Sequence, residues 1–160
     1  MIKNLSGKIG TIGLFAPDVP CRPVIQKRSK TFTLSYDTSK PLLYCSAKIT
    51  IDGKTISTDR AIWDTGATVT AFSDRLRNQF GSSPAETGTA IGAISSDSSD
   101  IFLATLELPG DIIFHNVEVW CFSLSAFAAD LIIGMDVISQ GKLVVETRDN
   151  IPTFSFTVVQ

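Results

Sequence analysis

At 160 residues, 44% of them apolar, the chain has the length of one domain and enough apolar side chains to build a core. A formal net charge of −2 and a pI of about 5.3 exclude the basic balance of a nucleic-acid binder. The charge is unevenly divided, because residues 1–30 hold Lys3, Lys8, Arg22, Lys27, Arg28 and Lys30 against Asp18 alone, leaving +5 there and −7 in the remainder.

No apolar run approaches the roughly 20 residues of a membrane span. Gly7, Lys8 and Gly10 interrupt any signal-peptide core at the N-terminus. A soluble, cytoplasmic protein without membrane partners is the expectation. Cys21, Cys45 and Cys121 form no Cys-x-x-Cys pair, and His115 is the one histidine, which argues against a zinc site or any other metal. An odd cysteine count rules out a complete intrachain disulfide framework, so Cys45 and Cys121 read as reduced core residues. No cofactor is expected.

Residues 1–30, punctuated by Pro17, Pro20 and Pro23, read as a basic flexible segment with a short strand at 9–15. Residues 31–160 read as the folded domain. Residues 31–36 alternate as a strand does. Two strand-like runs, 43–51 and 55–63, meet at Asp52-Gly53, a strong hairpin signal. The second run ends on Ile62-Trp63 and passes straight into Asp64-Thr65-Gly66-Ala67-Thr68. An acid at the end of an apolar run is costly to bury unless it is held and used. Ser73 is placed to cap a short helix that Gly81 ends. A strand at 87–94, a polar turn at 95–100 and a returning strand at 101–108 follow, then a turn at Pro109-Gly110-Asp111 and a strand at 112–122. Residues 129–134 are apolar apart from Asp130. Residues 137–140 look like a helical turn closed by Gly141, and strands at 142–146 and 153–159 flank Asn150-Ile151-Pro152. Many short strands and two short helices describe an all-β, barrel-like domain.

The same device occurs twice. A hairpin at Asp52-Gly53 leads to an apolar strand, Gly66 and a helix, and a turn at Pro109-Gly110 leads to Leu131-Ile132-Ile133-Gly134-Met135-Asp136 and a helical turn. With the Asp-Thr-Gly-Ala turn, this order resembles the retropepsin-like family of retroviral-type aspartic proteases, over residues 43–156, and is similar to its cellular and bacterial single-domain members. The resemblance implies a closed all-β barrel with a flap hairpin and one or two short helices, working as a homodimer on a polypeptide substrate. It implies Asp64 as the catalytic carboxylate and Thr65, Gly66 and Ala67 as its supporting turn, Thr65 locking the two turns across the dimer axis. Ile132, Ile133 and Gly134 would pack beneath that turn. The hairpin 87–108 would be the flap, with Gly92, Ala93, Ile94, Ser95, Ser96, Asp97, Ser98 and Ser99 at its substrate-binding end. Two places depart from the retroviral pattern. Thr68 stands where an acid is common and Met135 where an arginine is common, so the ion pair that braces the retroviral dimer is missing.

The chemistry fits one such turn per chain. Two neighbouring carboxylates do not readily both ionise, so they share a proton. One takes a proton from water while the other polarises the scissile carbonyl. A chain with one Asp-Thr-Gly turn must borrow the second carboxylate from a symmetry mate. Asp130 and Asp136 read as caps or dimer-surface charges, Asp97 and Asp100 as solvated turn residues, His115-Asn116 as a bend or exposed strand, and Trp63 and Trp120 as core. The alternative function is a non-catalytic peptide-binding or dimerisation module on the same fold. A nucleic-acid role for the basic segment lacks interleaved aromatics apart from Phe15.

Overall fold

The structure is a computed structural model and describes residues 28–39, 42–91 and 96–159. The strand expected at 9–15 lies outside those residues. Among them, alternating burial builds the first hairpin. Strand β2 (Tyr44–Ile51) turns Cys45, Ala47, Ile49 and Ile51 inward, and β3 (Lys54–Trp63) follows it antiparallel. Asp52 and Gly53 take φ of 48° and 77°, the left-handed pair that a two-residue hairpin requires.

After the Asp64 turn come β4 (Thr70–Ser73) and helix α1 (Asp74–Phe80). Ser73 accepts the Leu76 N–H at the helix N-terminus, and Gly81 at φ 72° ends the helix. Strands β5 (Glu86–Ile91), β6 (Ser96–Leu108) and β7 (Ile112–Phe122) form an antiparallel run. Then β8 (Leu131–Ile133) inserts between β3 and β4, parallel to β3. The order β2-β3-β8-β4-β7-β6 closes on itself where Lys48–Thr50 pair with Thr105–Glu107. The result is a six-stranded barrel, which leaves no free edge of its own. Helix α2 (Met135–Ile138) follows β8 directly.

A second sheet, β1 (Ser29–Ser35), β10 (Ile151–Val159) and β9 (Lys142–Arg148) in that order, closes one side of the barrel. It sends Phe32, Phe154 and Phe156 into the core, where Trp63 packs on Phe156 with ring centroids 4.7 Å apart.

Three expectations change. Residues 96–100 are not a turn: they are the first part of β6, paired with β5 from Ile91↔Ser96 to Thr87↔Asp100. Serine and aspartate are poor strand formers, but a complete ladder to β5 satisfies their backbones. The β9–β10 turn falls at Asp149-Asn150, φ 51° and 63°, so Ile151 and Pro152 belong to β10. The second helix begins at Met135, two residues earlier than the pattern suggested.

Candidate active site

Asp64 stands at the point where β3 leaves the barrel wall. Its N–H donates to the Ile133 carbonyl at 3.1 Å, prolonging the parallel pairing of β3 with β8 by one step. Its carbonyl accepts the Ala67 N–H at 3.2 Å, and its Oδ1 accepts the Gly66 N–H at 2.8 Å. The carboxylate is therefore held by its own turn. Asp64 is half-buried while Thr65 and Gly66 are exposed, which leaves this turn open to a partner or substrate. A Cβ on Gly66 would sit 3.1 Å from Asp64 Oδ1, so glycine keeps space beside the acid.

The turn is clasped from behind by the second half of the device. Met135 N–H donates to the Ala67 carbonyl at 2.8 Å, and Gly134 N–H donates to Thr70 Oγ1 at 3.1 Å. Thr70 is fully buried. Its hydroxyl donates to Asp136 Oδ1 at 2.8 Å, its N–H donates to Asp136 Oδ2 at 2.9 Å, and Val137 N–H completes the set at 2.9 Å. A Cβ on Gly134 would come within 2.4 Å of the Val69 carbonyl oxygen, a clash with backbone that nothing can relieve. Ile133 and Gly134 thus lie directly against the Asp64 turn, and Ile132 joins a small apolar cluster with Ile62, Ala71 and the half-buried Ala67.

A second acid is buried nearby. Asp130 accepts the Thr58 hydroxyl at 2.8 Å and pairs with Arg75 of α1, while its backbone links Arg60 and Ser73. Burial pushes its carboxyl up, but hydrogen bonds from Arg75 and Thr58 and the Arg75 and Arg60 charges outweigh this and hold it below the ordinary range. Both acids, expected as caps or dimer-surface charges, are bonded within this chain, and Asp136 accepts the Val137 N–H of its own helix. Asp130 is 3% exposed and locks α1 to β8, and Asp136 is half-buried in the clasp. Thr70, Arg75 and Thr58 carried no readable signal, because their partners lie 55 to 72 residues away.

The hairpin that the resemblance makes the flap is β5 with the first part of β6. Its ladder runs from Glu86↔Ile101 to Ile91↔Ser96, so residues 96–100 are paired strand and not a turn. Gly92, Ala93, Ile94 and Ser95 lie outside the described residues. Ser96 and Asp97 are ladder positions opposite Ile91 and Ala90. Ser98 is exposed. Ser99 is buried, and its hydroxyl donates to the Cys121 carbonyl at 2.6 Å, which ties the hairpin to β7 rather than offering it to a ligand. Asp100 is not a solvated turn residue either: it pairs with Arg77, which lies over the Phe102 ring. His115 is exposed on β7, with Nδ1 3.3 Å from Thr105 Oγ1, and Asn116 takes φ 56°. Trp63 is core, but Trp120 is only half-buried.

Cys45 and Cys121 are free thiols. Burial, partly offset by the Trp63 indole N–H on its sulfur, pushes Cys45 up to about 11. No group of three or more His, Cys, Asp or Glu stands together among the described residues. No helix among them is long and apolar enough to cross a membrane.

The family model described as aspartyl protease matches residues 47–137, more than half of the chain, from β2 through the Asp64 turn to α2. A search of curated proteins finds no match. Among solved structures, the chain is similar to a retropepsin-like aspartic protease from Rickettsia conorii. The two are 10% identical, with 83% of this chain and 96% of that one covered and a TM-score of 0.53, a likeness of fold. Weaker likenesses are to the simian foamy virus (mac) protease (17% identity, 61% and 92% covered, TM-score 0.40) and to the retroviral protease-like domain of Ddi1 from Leishmania major (24% identity, 70% and 91% covered, TM-score 0.39). An all-β barrel closed by six strands, a single Asp-Thr-Gly turn clasped by Gly134 and Asp136, and the match over residues 47–137 agree: the chain belongs to the retropepsin-like aspartyl protease family.

Proposed function

We propose that the protein is a homodimeric aspartic endopeptidase whose active site is a pair of Asp64 carboxylates, one from each chain. The observation that carries this reading is the intact Asp64-Thr65-Gly66 turn, half-buried at its acid, exposed at Thr65 and Gly66, and braced by backbone hydrogen bonds from β8 and α2. A turn so held presents a carboxylate in a fixed place, which is what proton transfer to and from a bound water requires. A two-fold axis beside it sets two such carboxylates face to face. One then takes a proton from water as the oxygen attacks the scissile carbonyl. The other, protonated, donates to the carbonyl oxygen, and the proton taken from water passes to the departing amine. Thr65 lies on the exposed side of the turn, where its hydroxyl can bond the partner's backbone across the axis. This bond would do part of the work of the ion pair that Thr68 and Met135 cannot form. The hairpin of β5 and β6 would close over an extended peptide and hold it by strand-like backbone pairing.

The free thiols of Cys45 and Cys121 support a reducing, cytoplasmic setting. The test is peptide cleavage by purified protein beside its Asp64→Asn form. Cleavage by the first, none by the second, and the same dimer for both is the expected result. Equal turnover by both would remove Asp64 from the chemistry. Peptide binding without cleavage by either would favour a binding module on this fold.

A further inference from the structure

Strand β6 has two parts on unequal footing. From Ile101 to Leu108 it pairs with β7 and belongs to the barrel wall. From Ser96 to Asp100 it pairs with β5 alone, so the hairpin leaves the barrel at Ile101 as a two-stranded ribbon. Two strands have little stability of their own, so the ties at the ribbon's root set where it lies. The Ser99 hydroxyl donates to the Cys121 carbonyl at 2.6 Å. Gly88 of β5 lies against the Trp120 ring, where a Cβ would fall 2.5 Å from Cη2. Asp100, the first residue beyond the barrel wall, pairs with Arg77 of α1 at 2.5 Å.

The ion pair differs from the other two ties in its reach. Ser99 and Gly88 bind the ribbon to β7, whereas among the described residues the Arg77–Asp100 pair joins it to the helix. Helix α1 is a firm post. Leu76 and Phe80 are buried in the core, Ser73 caps the first turn, Arg75 pairs with Asp130 ahead of β8, and Lys54 Nζ donates to the Gln79 carbonyl at the far end. The Arg77 guanidinium also lies 6.0 Å from the centroid of the buried Phe102 ring, which aims it along β6 toward Asp100. Both members of the pair are half-buried. Solvent screens them less than a fully exposed pair, yet the attraction is small enough to be broken and remade as a ribbon moves.

We propose that Arg77 is a positioning residue for substrate capture: through Asp100 it biases the β5–β6 hairpin toward the arrangement that holds a peptide beside Asp64. The inference rests on the reading of this hairpin as one that closes over an extended peptide, and goes further in naming the pair that sets its closure. A peptide that pairs with the hairpin binds in proportion to the fraction of hairpins already in place. Loss of the tie therefore weakens capture and leaves the chemistry at Asp64 as it was.

The test uses the full chain. Arg77→Gln and Asp100→Asn each remove the ion pair and keep a side chain of similar size. Each should raise KM for a cleaved peptide about two- to fivefold, the range that a partly exposed ion pair commands, with kcat unchanged. The double variant should raise KM no further than either single one, the mark of two residues acting through one contact. The wild type's advantage should shrink in about 1 M salt. Lys48→Gln is the control: it removes the Lys48–Glu107 pair from the barrel wall and should leave KM unchanged. Arg77 also packs on Phe102, so if Arg77→Gln does not fold, Asp100→Asn decides. An unchanged KM in Asp100→Asn, additive effects in the double variant, or an equal rise in Lys48→Gln would overturn the inference and leave the protease reading standing. If the wild type cleaves nothing but the Asp64→Asn chain binds peptides, the same comparisons are made between dissociation constants in that chain, with the same outcomes. Neither cleavage nor binding of any peptide would overturn the protease reading, and this inference with it.

Discussion

Asp64 is positioned by backbone rather than by neighbouring charge: its own turn, the Ile133 carbonyl and the Gly66 N–H fix it. Behind it, Asp136 accepts two hydrogen bonds from Thr70 and one from Val137, and no neutral side chain of the same shape can take all three. Asp136→Asn places an amide N–H against one of these donors. It should therefore cost about 1–3 kcal/mol, the desolvation of an unpaired buried group, and lower kcat by loosening the Asp64 turn. Urea unfolding beside steady-state kinetics checks both. Asp130 carries a pH signature. Its folded value is depressed below the ordinary 3.8, so its stabilisation is present above that value and is lost as pH falls through the folded one. Asp130→Asn should be much less stable than wild type at neutral pH, with the gap narrowing in strong acid, as unfolding midpoints across pH would show. At this scale the Asp-Thr-Gly turn was plain in the sequence, because its meaning is local. The Thr70–Asp136 and Asp130–Arg75 bonds were not, because each joins residues far apart in the chain and serine-like or acidic side chains have many local uses.

Among the elements, those bounded by local chemistry were legible: the Asp52-Gly53 hairpin, and α1 between its Ser73 cap and Gly81. Ser73→Ala should destabilise by about 1 kcal/mol, seen as a lower unfolding midpoint. The hairpin expected as the flap was legible, but the run read as its polar turn is strand from Ser96 on. The run of serine and aspartate at 95–100 has turn composition, and only pairing with β5 and the burial of Ser99 make 96–100 strand. The crossing of β8 between β3 and β4 had no local signal, since strand neighbours are set by the closed sheet, and only the resemblance, which set Ile132, Ile133 and Gly134 beneath the Asp64 turn, pointed to it. Gly134 marks that crossing. Gly134→Ala drives a Cβ into the Val69 carbonyl, so its cost should lie at or above the upper end of the about 1–3 kcal/mol typical of overpacking, with loss of soluble folded protein as the readout.

For the whole molecule, the barrel is closed while the β1-β10-β9 sheet that covers it is not, and its first strand begins at Ser29 opposite Val159. We propose that the basic segment before it is a removable pro-segment or regulatory tail drawn to the acidic body. A chain starting at Arg28 keeps every β1–β10 pair and should fold, dimerise and cleave at least as well as the full chain. Cleavage assays and sedimentation of the two chains decide this, and loss of folding would make the segment structural. Cys45, buried in the barrel with its thiol pushed up to about 11, should resist alkylation until the whole domain unfolds, so its labelling rate reports global stability. The central claim is that two chains share one site. Its most direct measurement is the activity of wild type mixed with an equal amount of Asp64→Asn protein, after the subunits have exchanged. If each site needs an Asp64 from both chains, random pairing leaves about one quarter of the dimers intact, and activity per total dimer falls to about a quarter of the wild-type value. Activity at about one half would mean that each chain works alone, and would contradict the account.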